Sequence, residues 1–128
     1  MHSSFIKLAA ILGAITVALG AFGAHALKQK ADVYVQGIFE TAVRYQFSHV
    51  FALLAVGILF SDYSNKWLVY AGWLFVAGML LFSGSLYLLT YIKIIDKPSL
   101  NWVGAITPLG GVAFIAGWIC LFIGISKS

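Results

Sequence analysis

The sequence predicts an all-α integral membrane protein, a four-helix transmembrane bundle with short loops. Hydrophobic residues make up 62% of the 128 residues and charged residues only 9%, which is outside the range of soluble domains. Three uncharged stretches are long enough to cross about 30 Å of hydrocarbon: Leu8–Leu27, Trp67–Ile92 and Leu100–Ser126. A fourth, Tyr45–Phe60, is long enough once the polar-faced turns before it are included. We therefore expect a single transmembrane domain over 1–128, with spans at about 5–27, 41–60, 67–91 and 103–126.

Span 1 carries small residues at helical spacing. Ala10, Ala14 and Ala18 are four apart, as are Gly20 and Ala24, and small residues let membrane helices approach closely. We expect this line of residues to be a packing face. Lys7, the apolar run and the small residues near its end also resemble a cleavable secretory signal, but the run is longer than a usual signal core. We expect span 1 to be retained.

The connections between the spans differ in length. Lys28–Phe39 is predicted to be the longest polar connection, with a short interfacial segment, whereas Ser61–Lys66 is a tight polar turn. Pro98 and Pro108 favour a fourth span made of a short helix at Leu100–Ile106 and a main helix from Pro108.

Glycines recur every seven residues along span 4, at Gly110, Gly117 and Gly124. Such a repeat marks a close-packed seam between helices. The seam is interpreted as packing inside the bundle or, alternatively, as a contact between copies in a homo-oligomer.

Polar residues gather in one half of the membrane when the four spans are threaded alternately. Polar groups within a bilayer must face one another or a wet cavity, so we expect them to surround a common pocket. The candidate site residues are His25, Glu40, Arg44, Tyr45, His49, Ser83, Tyr87 and Thr107.

The spacing of these residues predicts particular pairs. Glu40 and Arg44 are four apart, with the acid first, which favours a helical ion pair; Tyr45 and His49 are also four apart. The guanidinium of Arg44 suits an acidic partner or an anionic headgroup or substrate; alternatively, its side chain only extends to the lipid headgroups. His25 and His49 could carry protons because imidazole titrates near neutral pH. Two hypotheses follow. The pocket binds or transports a small or lipid-like anionic molecule, or the same residues form an interhelical hydrogen-bond network in a non-catalytic structural or assembly protein.

The motifs of common enzyme classes are missing from the sequence. It has no His-Glu-x-x-His, no Gly-x-Ser-x-Gly and no phosphate-binding glycine loop. Its single cysteine, Cys120, is expected to be a packed thiol. We expect neither an enzyme nor a metal site or cofactor. The net charge of +4 comes from lysines beside the spans, so the expected partners are membrane lipids and further copies of the chain, and not nucleic acid.

The numbers of positive charges at the two ends of the bundle are nearly equal, so they favour one orientation only slightly. Lys7, Lys66 and Lys127 lie at one end of the threaded bundle, and the remaining lysines and Arg44 lie at the other. We expect both termini outside and the polar half towards the cytoplasm.

Four blocks of the sequence carry a family resemblance: Gly20–His25, Thr41–Gln46 with His49, Phe82–Tyr87, and Thr107–Gly111 with Gly117 and Trp118. Together they resemble the YgdD/YwdK-like family of small bacterial membrane proteins, domain of unknown function 423. The resemblance spans nearly the whole chain. It implies a four-helix protein of the bacterial cell membrane, and it implies no activity, substrate or cofactor.

Overall fold

A computed structural model describes residues 1–127 and confirms the all-α architecture. The helices are α1 (Ser3–Lys30), α2 (Val33–Leu59), α3 (Lys66–Gly78), α4 (Gly84–Ile94) and α5 (Thr107–Ser126). A π-helical turn, Met79–Ser83, joins α3 to α4, and a 3-10 helix, Pro98–Ala105, precedes α5. Within the described residues, four helical stretches are long and apolar enough to cross a membrane: Ser3–Lys30, Val33–Leu59, Lys66–Ile94 and Pro98–Ser126.

The connection between α1 and α2 is shorter than the sequence suggested. The predicted loop Lys28–Phe39 is almost entirely helical, because α1 continues to Lys30 and α2 begins at Val33. The side chain of Asp32 accepts a hydrogen bond from the Val35 amide (2.9 Å) and so caps α2 far ahead of the predicted start at Thr41. Two long helices therefore extend beyond the hydrocarbon at this end.

The prediction that the alanine line of α1 forms its packing face is wrong. Ala10, Ala14 and Ala18 are exposed, whereas Phe5, Ala9, Thr16 and Gly23 are buried. Close approach to α1 depends instead on its own Gly23, which lies against the Phe39 ring, and on glycines of the partner helices. A Cβ on Gly72 would lie 2.3 Å from the Phe5 ring, so Phe5 fills the space left by that glycine.

The glycine seam of α5 packs inside the bundle, as one of the two interpretations predicted. A Cβ on Gly110 would meet the backbone nitrogen of Phe82 at 2.3 Å, and one on Gly117 would meet Phe75 at 2.7 Å. A Cβ on Gly124 would lie 2.4 Å from Leu68. The seam thus brings α5 against α3 and the π turn, around the fully buried Phe75.

The orientation in the membrane gives a first testable prediction. A Cys120→Ser, Lys127→Cys variant should react with a membrane-impermeant thiol reagent in intact cells, because we expect the C-terminus outside. Cys120→Ser alone is the control for background labelling. Reaction only after permeabilisation would contradict the expected orientation.

Candidate functional site

Helix lengths place the candidate residues near one membrane boundary. Measured along α2 from Leu59, Arg44 lies at about 22 Å and Glu40 at about 28 Å, for a rise of about 1.5 Å per residue. With Leu59 taken as one boundary of about 30 Å of hydrocarbon, Glu40 lies at the opposite boundary and Arg44 one turn inside it. The N-terminal end of α5, with Thr107, reaches the same level.

Hydrogen bonds between helices use several of the candidate residues. Ser83 is fully buried, and its hydroxyl donates to the Ala42 carbonyl of α2 at 2.8 Å. The Tyr87 hydroxyl donates to the Gln46 side-chain oxygen. The hydroxyls of Thr107 and Ser85 lie 2.6 Å apart and hydrogen-bond. These contacts join α2 to the π turn and α4, and α4 to α5.

His49 is the centre of a second set of contacts. Its Nδ1 hydrogen-bonds to the Tyr45 carbonyl at 2.8 Å, and its Nε2 accepts from the Trp118 indole at 3.1 Å. Because Nε2 accepts, the proton of the neutral ring is on Nδ1. The ring also stacks on Phe114, with centroids 3.6 Å apart. His49 is therefore buried between α2 and α5 with both ring nitrogens occupied.

Tyr45 contributes to this set through its ring and backbone. Its ring lies 4.5 Å from that of Phe82 and 6.5 Å from that of His49, measured between centroids. The predicted pairing of Tyr45 with His49 thus occurs through the Tyr45 carbonyl rather than its hydroxyl.

Glu40 and Arg44 are not part of the contacts around His49 and lie in an open groove between α1 and α2. The groove has a volume of about 180 Å³. Both side chains are exposed, and within residues 1–127 neither makes an ion pair, so the expected pairing between them is not formed. The groove is lined by Gly20, Gly23, Ala24, Leu27, Gln36, Phe39, Glu40, Val43 and Arg44.

A second groove of about 210 Å³ lies on the other side of α1, against α4. It is almost wholly apolar and shares Gly23, Leu27 and Phe39 with the first groove. The Phe39 ring separates the two, since it occupies the space where a Cβ of Gly23 would lie. The C-terminal half of α1 thus has an open groove on each side.

His25 is not brought to either groove. It is exposed on α1, and within the described residues its side chain makes no hydrogen bond, ion pair or ring contact. The common pocket expected from the sequence is therefore divided. Five of the candidate residues connect helices: Tyr45, His49, Ser83, Tyr87 and Thr107. Glu40 and Arg44 line the first groove. His25 belongs to neither set.

Sequence reasoning left Gln46 and Trp118 out of the candidate site. A signal for Gln46 was available, because it lies four residues after Ala42 and four before Val50, on a face that is buried. Trp118 gave a weaker signal: an indole N–H in the middle of an apolar span needs an acceptor, but the sequence does not say which helix supplies it. Among residues 1–127, no three His, Cys, Asp or Glu side chains cluster in a way that could hold a metal ion.

Comparison with known proteins supports this picture of a membrane bundle. The profile of the family described as "Protein of unknown function (DUF423)" matches residues 19–111. The chain belongs to the DUF423 family. All eight candidate site residues fall within the matched range, and Trp118 lies beyond it.

Relatives of the family come from several bacteria. The chain is 46% identical over 125 residues to the UPF0382 membrane protein YwdK of Bacillus subtilis, which covers 96% of each protein. It is 44% identical to a UPF0382 membrane protein of Staphylococcus saprophyticus, over 96% of this chain and 97% of that one. The UPF0382 inner membrane protein YgdD of Escherichia coli K12 is 37% identical, over 97% and 91%. No solved structure matches the chain. The family resemblance and the location in a bacterial cell membrane are confirmed.

Proposed function

We propose that the chain binds a lipid-like anionic molecule in the groove between α1 and α2, through Arg44. The observation that carries the proposal is an exposed guanidinium without a carboxylate partner, one helical turn inside the membrane boundary. An unpaired cation at this depth is costly, and an anionic headgroup would offset that cost.

The rest of the groove suits an amphiphile. Gly20 has no side chain to fill the groove on the α1 side, and Phe39 and Val43 form an apolar surface on the α2 side. An acyl chain could lie along this surface below the headgroup, in contact with surrounding lipid. The lining residues are confined to the C-terminal half of α1 and the N-terminal half of α2, so the proposal is one of binding and does not include a path across the bilayer.

Removal of the Arg44 charge tests the proposal. Native mass spectrometry of the detergent-released protein should detect a retained phospholipid on the wild type and a loss of about tenfold or more in Arg44→Gln, because bonds to a phosphate from a charged donor are strong. Lys7→Gln is the matched control, since it removes an exposed cation from the other end of α1. Equal lipid retention in wild type and Arg44→Gln would refute the proposal.

A second candidate function, a structural or assembly role, is favoured by the hydrogen bonds that Ser83, His49 and Thr107 make between helices. In this case the polar half holds the helices in register, and the partner of the chain is another protein or a second copy. A folded protein that retains no lipid would favour this function.

The expected homo-oligomer stays a prediction. In the described structure, backbone and side-chain atoms of the same chain already pack against the glycine seam of α5, so a second copy would need another surface. The same mass spectra report the number of chains per particle. The expectation that the chain is not an enzyme also stays a prediction.

A further inference from the structure

We infer that the preferred ligand of the α1–α2 groove has a zwitterionic headgroup, a phosphate next to a primary ammonium, as in phosphatidylethanolamine. This inference rests on the proposed lipid binding at Arg44, keeps the anionic phosphate there, and replaces a wholly anionic headgroup with one that also has an ammonium. It follows from three side chains of α2 that line the groove at successive turns: Gln36, Glu40 and Arg44.

The groove presents two opposite charges that do not pair with each other. Glu40 and Arg44 line the same groove four residues apart, in the order that favours a helical ion pair, yet both remain unpaired within residues 1–127. A simple anion would gain from Arg44 but would be repelled by the Glu40 carboxylate. A headgroup with both charges would be attracted by both residues.

The charges of Arg44 and Glu40 lie at different depths along the membrane normal. Arg44 lies about 6 Å deeper than Glu40, because four residues separate them on a helix that runs from the boundary into the bilayer. In phosphatidylethanolamine the phosphate is attached to the glycerol and the ammonium extends from it towards water. The phosphate would therefore lie level with Arg44 and the ammonium level with Glu40.

The hydrogen-bond acceptors of the groove favour a primary over a quaternary ammonium. The Gln36 amide nitrogen donates to the Ala31 carbonyl at 2.8 Å, which leaves the amide oxygen as an acceptor one turn above Glu40. A primary ammonium has N–H groups to donate to this oxygen and to the carboxylate. A trimethylated ammonium has none and is normally bound by aromatic cages. The groove has one aromatic lining residue, Phe39, so it suits ethanolamine better than choline.

Competition between lipids tests the inference. The full chain in detergent would be offered equal amounts of dioleoyl phosphatidylethanolamine, phosphatidylglycerol and phosphatidylcholine, and the bound fractions read by native mass spectrometry. The wild type should retain phosphatidylethanolamine over each of the others by up to about fivefold, the range of an exposed charge pair. Glu40→Gln should abolish the preference over phosphatidylglycerol. Asp62→Asn, which removes an exposed carboxylate at the other end of the bundle, should keep it.

The outcomes separate the inference from the proposed function. Equal retention of phosphatidylethanolamine and phosphatidylglycerol by the wild type, with both lost in Arg44→Gln, would overturn the zwitterionic headgroup and keep lipid binding. An unchanged preference in Glu40→Gln would also overturn it. No retained lipid in the wild type, or full retention in Arg44→Gln, would overturn the proposed function as well. Circular dichroism of each variant confirms that it is folded.

Discussion

Replacement of Gly110 with alanine is expected to destabilise the bundle by about 3 kcal/mol, the upper range for an overpacked core. A Cβ at this position would lie 2.3 Å from the Phe82 backbone nitrogen and 2.7 Å from its Cα. A side chain can rotate away from such a contact, but a backbone cannot. Relief would require α5 to move away from the π turn, which would also disturb the nearby bond between Ser83 and Ala42.

The neighbouring glycine provides a matched control. No atom of another helix lies within 4 Å of a Cβ built on Gly111, so Gly111→Ala should be neutral or stabilising by about 1 kcal/mol, the gain in helix propensity. Since both substitutions change glycine to alanine in α5, the difference between them isolates the contact with Phe82. Thermal unfolding in detergent, followed by circular dichroism, measures both. A Gly110→Ala variant as stable as Gly111→Ala would contradict the close approach of α5.

His49→Ala is expected to be the second large effect, with a loss of about 2–3 kcal/mol of stability. The substitution removes a buried ring that stacks on Phe114 and leaves a cavity. It also leaves the Trp118 indole N–H without its acceptor, although interhelical hydrogen bonds in membranes are individually modest, at about 0.6 kcal/mol on average. Most of the loss should therefore come from packing.

Two further variants separate the packing contribution of His49 to stability from the contribution of its polar contacts. His49→Phe keeps an aromatic ring against Phe114 but removes both polar contacts, so it should lose less stability than His49→Ala. Ser48→Ala is the control on the adjacent residue, because Ser48 is exposed and its hydroxyl bonds only to the Arg44 carbonyl of its own helix. Unfolding temperatures that do not differ among His49→Ala, Ser48→Ala and the wild type would show that His49 is not structural.

The sequence was sufficient to predict the architecture, because the constraints of a membrane are strong. A bilayer requires apolar stretches of a given length, and these stretches and the tight turn at Ser61–Lys66 are visible in the residue pattern. The glycine repeat of α5 predicted a close-packed face for a similar reason. Only residues without side chains permit such an approach, so a regular spacing of glycines is informative.

The inward face of α1 could not be predicted from its own residues. An alanine line and a phenylalanine are both compatible with packing, and the choice depends on the surface that the partner helix offers. Gly72 on α3 leaves room for the Phe5 ring, whereas Ala10, Ala14 and Ala18 meet no such surface within the described residues. The face that a helix buries is thus a property of the pair of helices.

The candidate site was predicted as one pocket, but it consists of two sets of residues. Helical spacing correctly put Glu40 and Arg44 on one face, yet it could not show that this face borders a groove instead of the core. Nor could it show that His49 faces Trp118, since that contact joins residues on separate helices. Periodicity orders residues around one helix, and contacts between helices require the fold.

We expect lipid binding by Arg44 to be separate from the structural role of His49. The most direct test is the rise in unfolding temperature when dioleoyl phosphatidylethanolamine is added to delipidated wild type, Arg44→Gln and His49→Ala. A ligand stabilises only the states that bind it. We expect the wild type and His49→Ala to rise by similar amounts from different starting temperatures, and Arg44→Gln to start near the wild type and not rise. An equal rise in Arg44→Gln, or no rise in the wild type with either this lipid or phosphatidylglycerol, would contradict lipid binding through Arg44.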